Sequence, residues 1–362
     1  MRIQFIQDII DKIRGKEVKK KNLIDTYYVE ILSDCNLKCS LCGFGNREMF
    51  QRKHGKMSLK TFEKILNKIK KESPTATISP FHHCEPMLHP QLPEMVKAIK
   101  KRGLTSYLSF NFNYINRLED LLKAGVDSMT ISVSGFCQET YQKAHIGGNI
   151  EKVKENLKLL RQTMDKLNVN PIVHVVYHMY KDNIGEDFDN MKSFANELGF
   201  FFTPFWSRCI SLELSLKYLR EKGLSLYKGE TLKWFDELPP LNEVYLKTME
   251  ERMLHVPEDY LTEKWLNHRL KTCPVNGRII NIHWTGEISL CSWGFDDRAV
   301  IGNYLTTDIE ELYKARANSP LCKECLTNNY VVYTEYSDTQ EIDRLSEEKL
   351  GYKLPDDRKM TH

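Results

Sequence analysis

Between residues 27 and 206, short apolar runs of β type alternate with stretches whose apolar residues recur every three or four positions. The runs are YYVEILS (27–33), ATISPFH (76–82), TSYLSFN (105–111), SMTISVS (128–134), IVHVVYH (172–178) and FFFTPFW (200–206). The stretches between them, 58–72, 91–103, 115–125, 150–167 and 187–199, carry the helical period. Six such βα repeats predict a parallel sheet with right-handed crossovers, closed or partly closed into a barrel. Ser58 is placed as an N-cap, and Gly103, Gly125 and Gly199 stand where helices should stop. In such folds the ligand site lies at the carboxyl ends of the strands.

Past about residue 210 the alternation ends. Helical patterns run from Leu212 to Arg269, and a hairpin follows in RIINIHWTGEISLC, turning at Thr285-Gly286. Beyond Tyr330 the chain is polar and is expected to form a surface helix and tail. The organisation read from this is an N-terminal helix (1–25), the βα unit (26–210), a helical connector (211–270), a cysteine-bearing hairpin unit (271–330) and the tail (331–362).

Composition narrows the class. The chain is 41% apolar and 28% charged with a net charge of +3, a globular profile. The run Lys16–Lys21 reads as a solvated face, so no nucleic-acid partner is expected. No stretch reaches the ~18 apolar residues of a membrane span. The first 15 residues carry Asp8 and Asp11 inside their apolar pattern, which suits an amphipathic helix better than a signal peptide. A cytoplasmic location is expected, where the ten cysteines serve as ligands or free thiols rather than disulfides.

Three of those cysteines, Cys35, Cys39 and Cys42, fall in SDCNLKCSLCGFGN directly after the first predicted strand. Structural zinc closes with four ligands. An iron–sulfur cluster held by three thiolates leaves one iron open for a further ligand. Cys-x3-Cys-x2-Cys in this position resembles the radical S-adenosylmethionine (radical SAM) superfamily. That resemblance implies a (β/α)6 partial TIM barrel of α/β class, a [4Fe–4S] cluster, and S-adenosylmethionine (SAM) bound to the open iron by its amino and carboxylate groups. It also implies cleavage of SAM to a 5′-deoxyadenosyl radical, fed by a reducing flavodoxin- or ferredoxin-type donor.

The resemblance places other residues. Glu85, in HHCEPMLHP, matches the glutamate that accepts from the SAM ammonium, with His83 and Cys84 standing where relatives have two glycines. His82, His83 or Cys84 could instead reach a substrate. Ser134 and Ser132 alternate onto one face of the fourth strand, toward the ribose or methionine portion. His145 occupies the place of a carboxylate-binding arginine, Asn111 ends strand three as a further SAM candidate or a turn former, and Leu41 can pack near the adenine.

The distal cysteines, Cys273, Cys291, Cys322 and Cys325, suit a structural zinc or a fully ligated cluster equally on chemistry alone. Their order, with a Gly-x4-Cys hairpin and a closing Cys-x2-Cys, resembles the SPASM/twitch extensions of radical SAM enzymes. That implies a second, auxiliary [4Fe–4S] cluster, and the four cysteines fit the shorter twitch form. Cys84, Cys137 and Cys209 remain; the default is a small buried hydrophobe, and Cys209, just past strand six, is the candidate hydrogen-atom donor. His178, Tyr180 and Trp206 also stand at strand ends.

The expected function is an enzyme that takes hydrogen from an unactivated carbon of a small polar, carbohydrate- or aminocyclitol-like substrate, with oxidation or epimerisation following. About 25 residues precede strand one, too few for a leader-binding domain. A ribosomally made peptide substrate, epimerised or cross-linked, is the alternative. A two-cluster electron carrier without SAM chemistry is the reading from another class, and Glu85-Pro86 and the ISVSG strand argue against it.

Overall fold

The computed structural model describes residues 23–209, 211–335 and 339–359. The predicted N-terminal helix and the lysine run at 16–21 lie outside the described residues. The six expected strands form, as β1 (Thr26–Val29), β2 (Thr77–Ser79), β3 (Thr105–Phe110), β4 (Ser128–Val133), β5 (Ile172–Met179) and β6 (Phe201–Trp206). They pair in parallel in sequence order, with Thr26 beside Thr77, Thr77 beside Thr105, Tyr107 beside Ser128, Ser128 beside Ile172 and His174 beside Phe201.

The crossover helices follow the sequence periods closely. In the helix Leu59–Glu72, Phe62, Ile65, Leu66 and Ile69 are fully buried, the stripe a sheet-packed helix needs. The Ser58 hydroxyl accepts from Thr61 N–H at 3.1 Å, as an N-cap should. Gly103, Gly125 and Gly199 take φ of +62°, +83° and +69° where their helices end, a region that penalises any Cβ. β5 alternates half-buried and buried positions along its whole length, ending at the buried Met179.

β1 and β2 are shorter than their apolar runs. After Val29 the chain leaves β2 and pairs with the returning end of the cysteine loop: Met57 N–H donates to Ile31 O (2.7 Å), Ser33 N–H to Gly55 O (3.0 Å), and Leu32 lies opposite Lys56.

The hairpin unit is not a separate layer. β7 (Ile279–Ile282) pairs in parallel with β1, Thr26 beside Ile279 and Val29 beside Ile282. β8 (Glu287–Ser289) and β9 (Val300–Asn303) continue antiparallel from it, with the turn at Gly286 (φ +87°). One nine-stranded sheet results, ordered β6-β5-β4-β3-β2-β1-β7-β8-β9. The expected boundary at residue 271 therefore runs through a continuous hydrogen-bonded sheet.

The connector holds several short helices; Leu212–Glu221 is its longest. The helix Tyr330–Glu335 corrects the expectation of a surface tail. Tyr330, Val331, Val332 and Tyr333 are buried, and the Tyr330 hydroxyl donates to Cys209 O at 3.1 Å. Those side chains fill the space beside the exit of β6. Among the described residues no helix is long and apolar enough to cross a membrane.

Candidate active site and second thiol cluster

The first cysteine loop spans residues 33–57, from the carboxyl end of β1 back to its clamp. Its interior is held by the Asn46 side chain and by a tie to the segment at Ile146. Asn46 Nδ2 donates to Ser40 O (2.9 Å) and Cys42 O (2.8 Å), and Lys38 N–H donates to Ile146 O (3.0 Å). Leu37, Leu41 and Phe44 point into the core. Two glycines allow the tight path. A Cβ on Gly45 would lie 2.0 Å from Cys39 O, and one on Gly43 would lie 2.6 Å from the Phe295 ring. The Gly-x-Gly after the third cysteine is the sequence signal for this tight path.

The three thiols are half-buried and close enough to repel one another as thiolates. Burial pushes Cys35 up to about 12, with Glu85 and Cys42 adding to it. Burial and the neighbouring Cys42 and Cys35 hold Cys39 well above the ordinary thiol range. Cys42 is raised by burial against the Phe44 and Gly45 N–H groups, which donate to its sulfur. Leu37 N–H and Asn111 Nδ2 (3.7 Å) point at the Cys35 sulfur. Converging soft donors with N–H groups aimed at sulfur fit the thiolate ligands of an iron–sulfur cluster, whose cationic iron would remove the repulsion.

Glu85 stands beside this loop. It is fully buried, its N–H donates to Asp34 O (3.0 Å), and its carboxylate accepts from Asn111 N–H (2.7 Å) and Met87 N–H (3.2 Å). Burial outweighs those donors and lifts its pKa to about 8. Asn111 Nδ2 also donates to Asn36 Oδ1 (2.8 Å), so Asn111 joins Glu85 to the cysteine loop. Ser134 and His145 meet: the hydroxyl and Nδ1 are 2.7 Å apart, and the imidazole stacks on Tyr141. Burial, helped by Arg252, lowers His145 to about 4, so it is a neutral ring. Ser132 is half-buried on β4, one alternation away from Ser134.

The distal cysteines come from three elements: Cys273 before β7, Cys291 after β8, and Cys322 and Cys325 on the helix Pro320–Thr327. The fold brings them together. Burial, then Cys273 and Cys322, raise Cys291; burial, then the other three, raise Cys325; burial lifts Cys322 to about 11 against the nearby Arg316. Trp293 N–H points at the Cys291 sulfur (3.4 Å). Among the described residues no three His, Cys, Asp or Glu side chains close around a point as ligands of one ion would; the four thiols are neighbours without forming a single-ion site.

His82 and His83 do not face an open pocket. His82 Nε2–H donates to Ser292 O (2.5 Å) and His83 Nε2–H to Gly294 O (3.1 Å), both in the loop after Cys291. Burial keeps both rings neutral, His82 at about 3. Cys84 is half-buried, and burial raises its thiol. Cys137 is exposed at the start of the helix Gln138–Gln142. Cys209 is fully buried with its sulfur 2.9 Å from the Tyr245 hydroxyl; burial raises its pKa, Ser215, Tyr245 and Ser211 oppose this, and Cys42 adds to it. His178 packs 5.9 Å from His145, while Tyr180 and Trp206 are buried.

Three charged groups went unnoticed in the sequence. Arg52, on the cysteine loop, is buried and binds both oxygens of the fully buried Glu30; it also donates to Phe295 O (2.9 Å) and Asp297 Oδ1 (3.2 Å). Glu213, fully buried, accepts from Phe295 N–H (2.9 Å) and Asp296 N–H (3.2 Å). Nothing in the local pattern distinguishes these residues from surface charges.

Fold and site together define an α/β domain that gathers thiols and a buried carboxylate at the carboxyl ends of its parallel strands. Residues 29–195 match the family described as the radical SAM superfamily. A tungsten-containing aldehyde ferredoxin oxidoreductase cofactor-modifying protein of Pyrococcus furiosus is 31% identical over 137 residues, 36% of this chain and 38% of that protein. A probable GTP 3′,8-cyclase of Methanococcus maripaludis is 32% identical over 164 residues, 43% and 50% of the two chains. The chain thus spans half or less of the length of these relatives.

Among solved structures, Streptococcus suis SuiB bound to the precursor peptide SuiA superposes with a TM-score of 0.53 at 14% identity, over 88% of this chain and 70% of that one. The protein anSMEcpe with bound AdoMet gives 0.51 at 15%, over 90% and 87%. At these identities the likeness is one of fold.

Proposed function

We propose that this chain reductively cleaves SAM and uses the 5′-deoxyadenosyl radical to remove hydrogen from an unactivated carbon of a small polar substrate. The observation that carries this is the convergence of Cys35, Cys39 and Cys42 at the end of β1, beside the buried Glu85 at the end of β2. A [4Fe–4S] cluster on the three thiolates, with SAM on its open iron, supplies the radical chemistry when reduced by a flavodoxin- or ferredoxin-type donor. The chain's own residues hold and orient. Glu85, fixed by the Asn111 and Met87 amides, is the acceptor for the SAM ammonium. Asn111, Ser132, Ser134 and His145 are the polar contacts for the rest of SAM, and the buried apolar surroundings keep water from the radical.

The four distal thiols are assigned a second [4Fe–4S] cluster, in a twitch-like unit with three of its four ligands on loops or helix beyond β8. The substrate reading is a carbohydrate or aminocyclitol-type molecule, supported by the polar rings of His178, Tyr180 and Trp206 near the strand ends; His82 and His83 leave that set because their Nε2 protons are committed. Oxidation gives a product two hydrogens lighter. Epimerisation returns a hydrogen atom, and Cys209 is the donor for that branch; its burial means the substrate must reach it through a local opening. A ribosomally made peptide is the alternative substrate, and the SuiB structure of similar fold is one bound to its precursor peptide.

The test is turnover of SAM by anaerobically reconstituted protein with a strong reductant. 5′-Deoxyadenosine should form, and Cys35→Ala, Cys39→Ala and Cys42→Ala combined should abolish it. Product from the triple variant at the wild-type level overturns the assignment. For the outcome, turnover in deuterated water should place deuterium at an inverted carbon only in the epimerase branch; a lighter, unlabelled product with Cys209→Ala still active leaves oxidation.

A further inference from the structure

The loop Leu290–Phe295 carries Cys291, yet it contains no helix or strand. Its backbone must therefore find partners outside itself. Six consecutive carbonyls do. Leu290 O accepts from Arg316 Nε (2.8 Å), Cys291 O from Ser289 Oγ (2.9 Å), and Trp293 O from Leu212 N–H (2.8 Å). The other three, Ser292 O, Gly294 O and Phe295 O, accept from His82, His83 and Arg52, all on the N-terminal side of the molecule.

The histidines are themselves oriented. Asn281, on β7, donates to His82 Nδ1 (3.0 Å), which leaves the proton on Nε2 for Ser292 O. The same Asn281 amide donates to Ser289 Oγ (2.8 Å), which donates onward to Cys291 O. One amide thus sets both donors that flank the Cys291 peptide. The His82 and His83 rings meet edge to face at 3.8 Å, and His83 lies edge-on to Phe295 at 5.1 Å, so neither ring turns alone. Two residues further along is Glu85, tied by its own N–H to Asp34 O next to Cys35.

From this geometry we propose that His82 and His83 are positioning residues for Cys291, locking its loop to the loop that carries Glu85. Through these contacts the pair joins the loop of Cys291 to the segment beside the first thiol centre. The inference rests on the reading of the distal thiols as ligands only for its metal readout; the position of Cys291 is measured separately. Outer donors of this kind commonly alter metal retention by about tenfold or more.

The variants are His82→Phe with His83→Phe, which keep ring shape and remove the donors, and His82→Gln with His83→Gln, which keep a donor. In the full chain after stripping with a chelator, alkylation of Cys291 by iodoacetamide is followed by peptide mapping against Cys322 in the same digest. The Phe pair should raise the Cys291-to-Cys322 ratio about tenfold, and the Gln pair should recover most of it. In unstripped protein lacking Cys35, Cys39 and Cys42, iron should leave the distal thiols about tenfold faster in the Phe pair. An unchanged alkylation ratio, or an equal rise at every cysteine, overturns the positioning role. If the protein lacking the first three cysteines holds no iron, the distal-cluster reading fails while the alkylation ratio still decides the role of the histidines.

Discussion

Cys35, Cys39 and Cys42 share one short loop, held mainly from within, whereas Cys273, Cys291, Cys322 and Cys325 arrive from three separate pieces of chain. The first loop is clamped at its base by Ser33–Gly55 and Met57–Ile31 and inside by Asn46. The second set depends on hydrogen-bond partners from distant residues: His82, His83, Arg52 and Arg316 donate to its loop, and Glu213 accepts from it. A local loop loses little entropy in closing, while a site assembled across the fold exists only once the sheet has formed. The comparison teaches where each site is fragile: the first to changes within its own short segment, the second to changes anywhere along its supports.

The sharpest way to separate the two is to delete one. The combined Cys35→Ala, Cys39→Ala and Cys42→Ala variant should lose all SAM cleavage and about four irons, and keep about four on the distal thiols. Iron analysis and the absorption of thiolate-bound cluster check this; loss of all iron would overturn the distal-cluster reading.

A second variant tests whether the two regions are mechanically joined. Arg52→Met leaves Glu30 buried without its partner and removes the guanidinium donors to Phe295 O and Asp297 Oδ1. A broken buried pair costs about 3–5 kcal/mol. Urea unfolding should show a loss of that size, with most of it recovered when Glu30→Gln is added. A loss below about 1 kcal/mol would place this pair among surface bridges.

Gly45→Ala confines the damage to the first region. Its Cβ would collide with Cys39 O, a backbone atom that cannot swing aside. Overpacking of this kind costs about 1–3 kcal/mol. Iron should fall at the first site alone, and equal loss at both would show that the loop is less independent than its hydrogen bonds suggest.

The smallest effect concerns pH and lies outside both sites. His255 is buried, with Nε2 2.8 Å from Ser346 Oγ, and burial, Arg208 and Lys349 hold its pKa well below 6.5. The unfolded chain protonates it near about 6.5. Its contribution is therefore present above that pH and lost as the solution is acidified, because the unfolded state then binds the extra proton. Between about pH 6.5 and 5, the unfolding free energy of His255→Gln from urea titrations should fall less steeply with pH than that of the wild type, by a slope equivalent to up to about one proton. Parallel slopes would mean that His255 takes up its proton without unfolding.

The local signals in the sequence carried most of the barrel and the first site. Period-two and helical runs located β1 to β6 and the helices between them, Ser58 and three glycines marked helix ends, and Thr285-Gly286 marked the hairpin turn, because each depends on residues a few positions apart. The cysteine triad was legible for the same reason. What tertiary structure alone decided is everything that depends on which distant segments meet. β7 lies against β1, so that the hairpin unit extends the barrel sheet; Tyr330 to Tyr333 sink into the core beside Cys209; and His82, His83 and Arg52 spend their protons on one loop some two hundred residues away. A histidine or arginine in a polar stretch looks the same in sequence whether it faces water or a carbonyl. Only the three-dimensional path of the chain supplies the acceptor, and with it the desolvation that makes the contact obligatory.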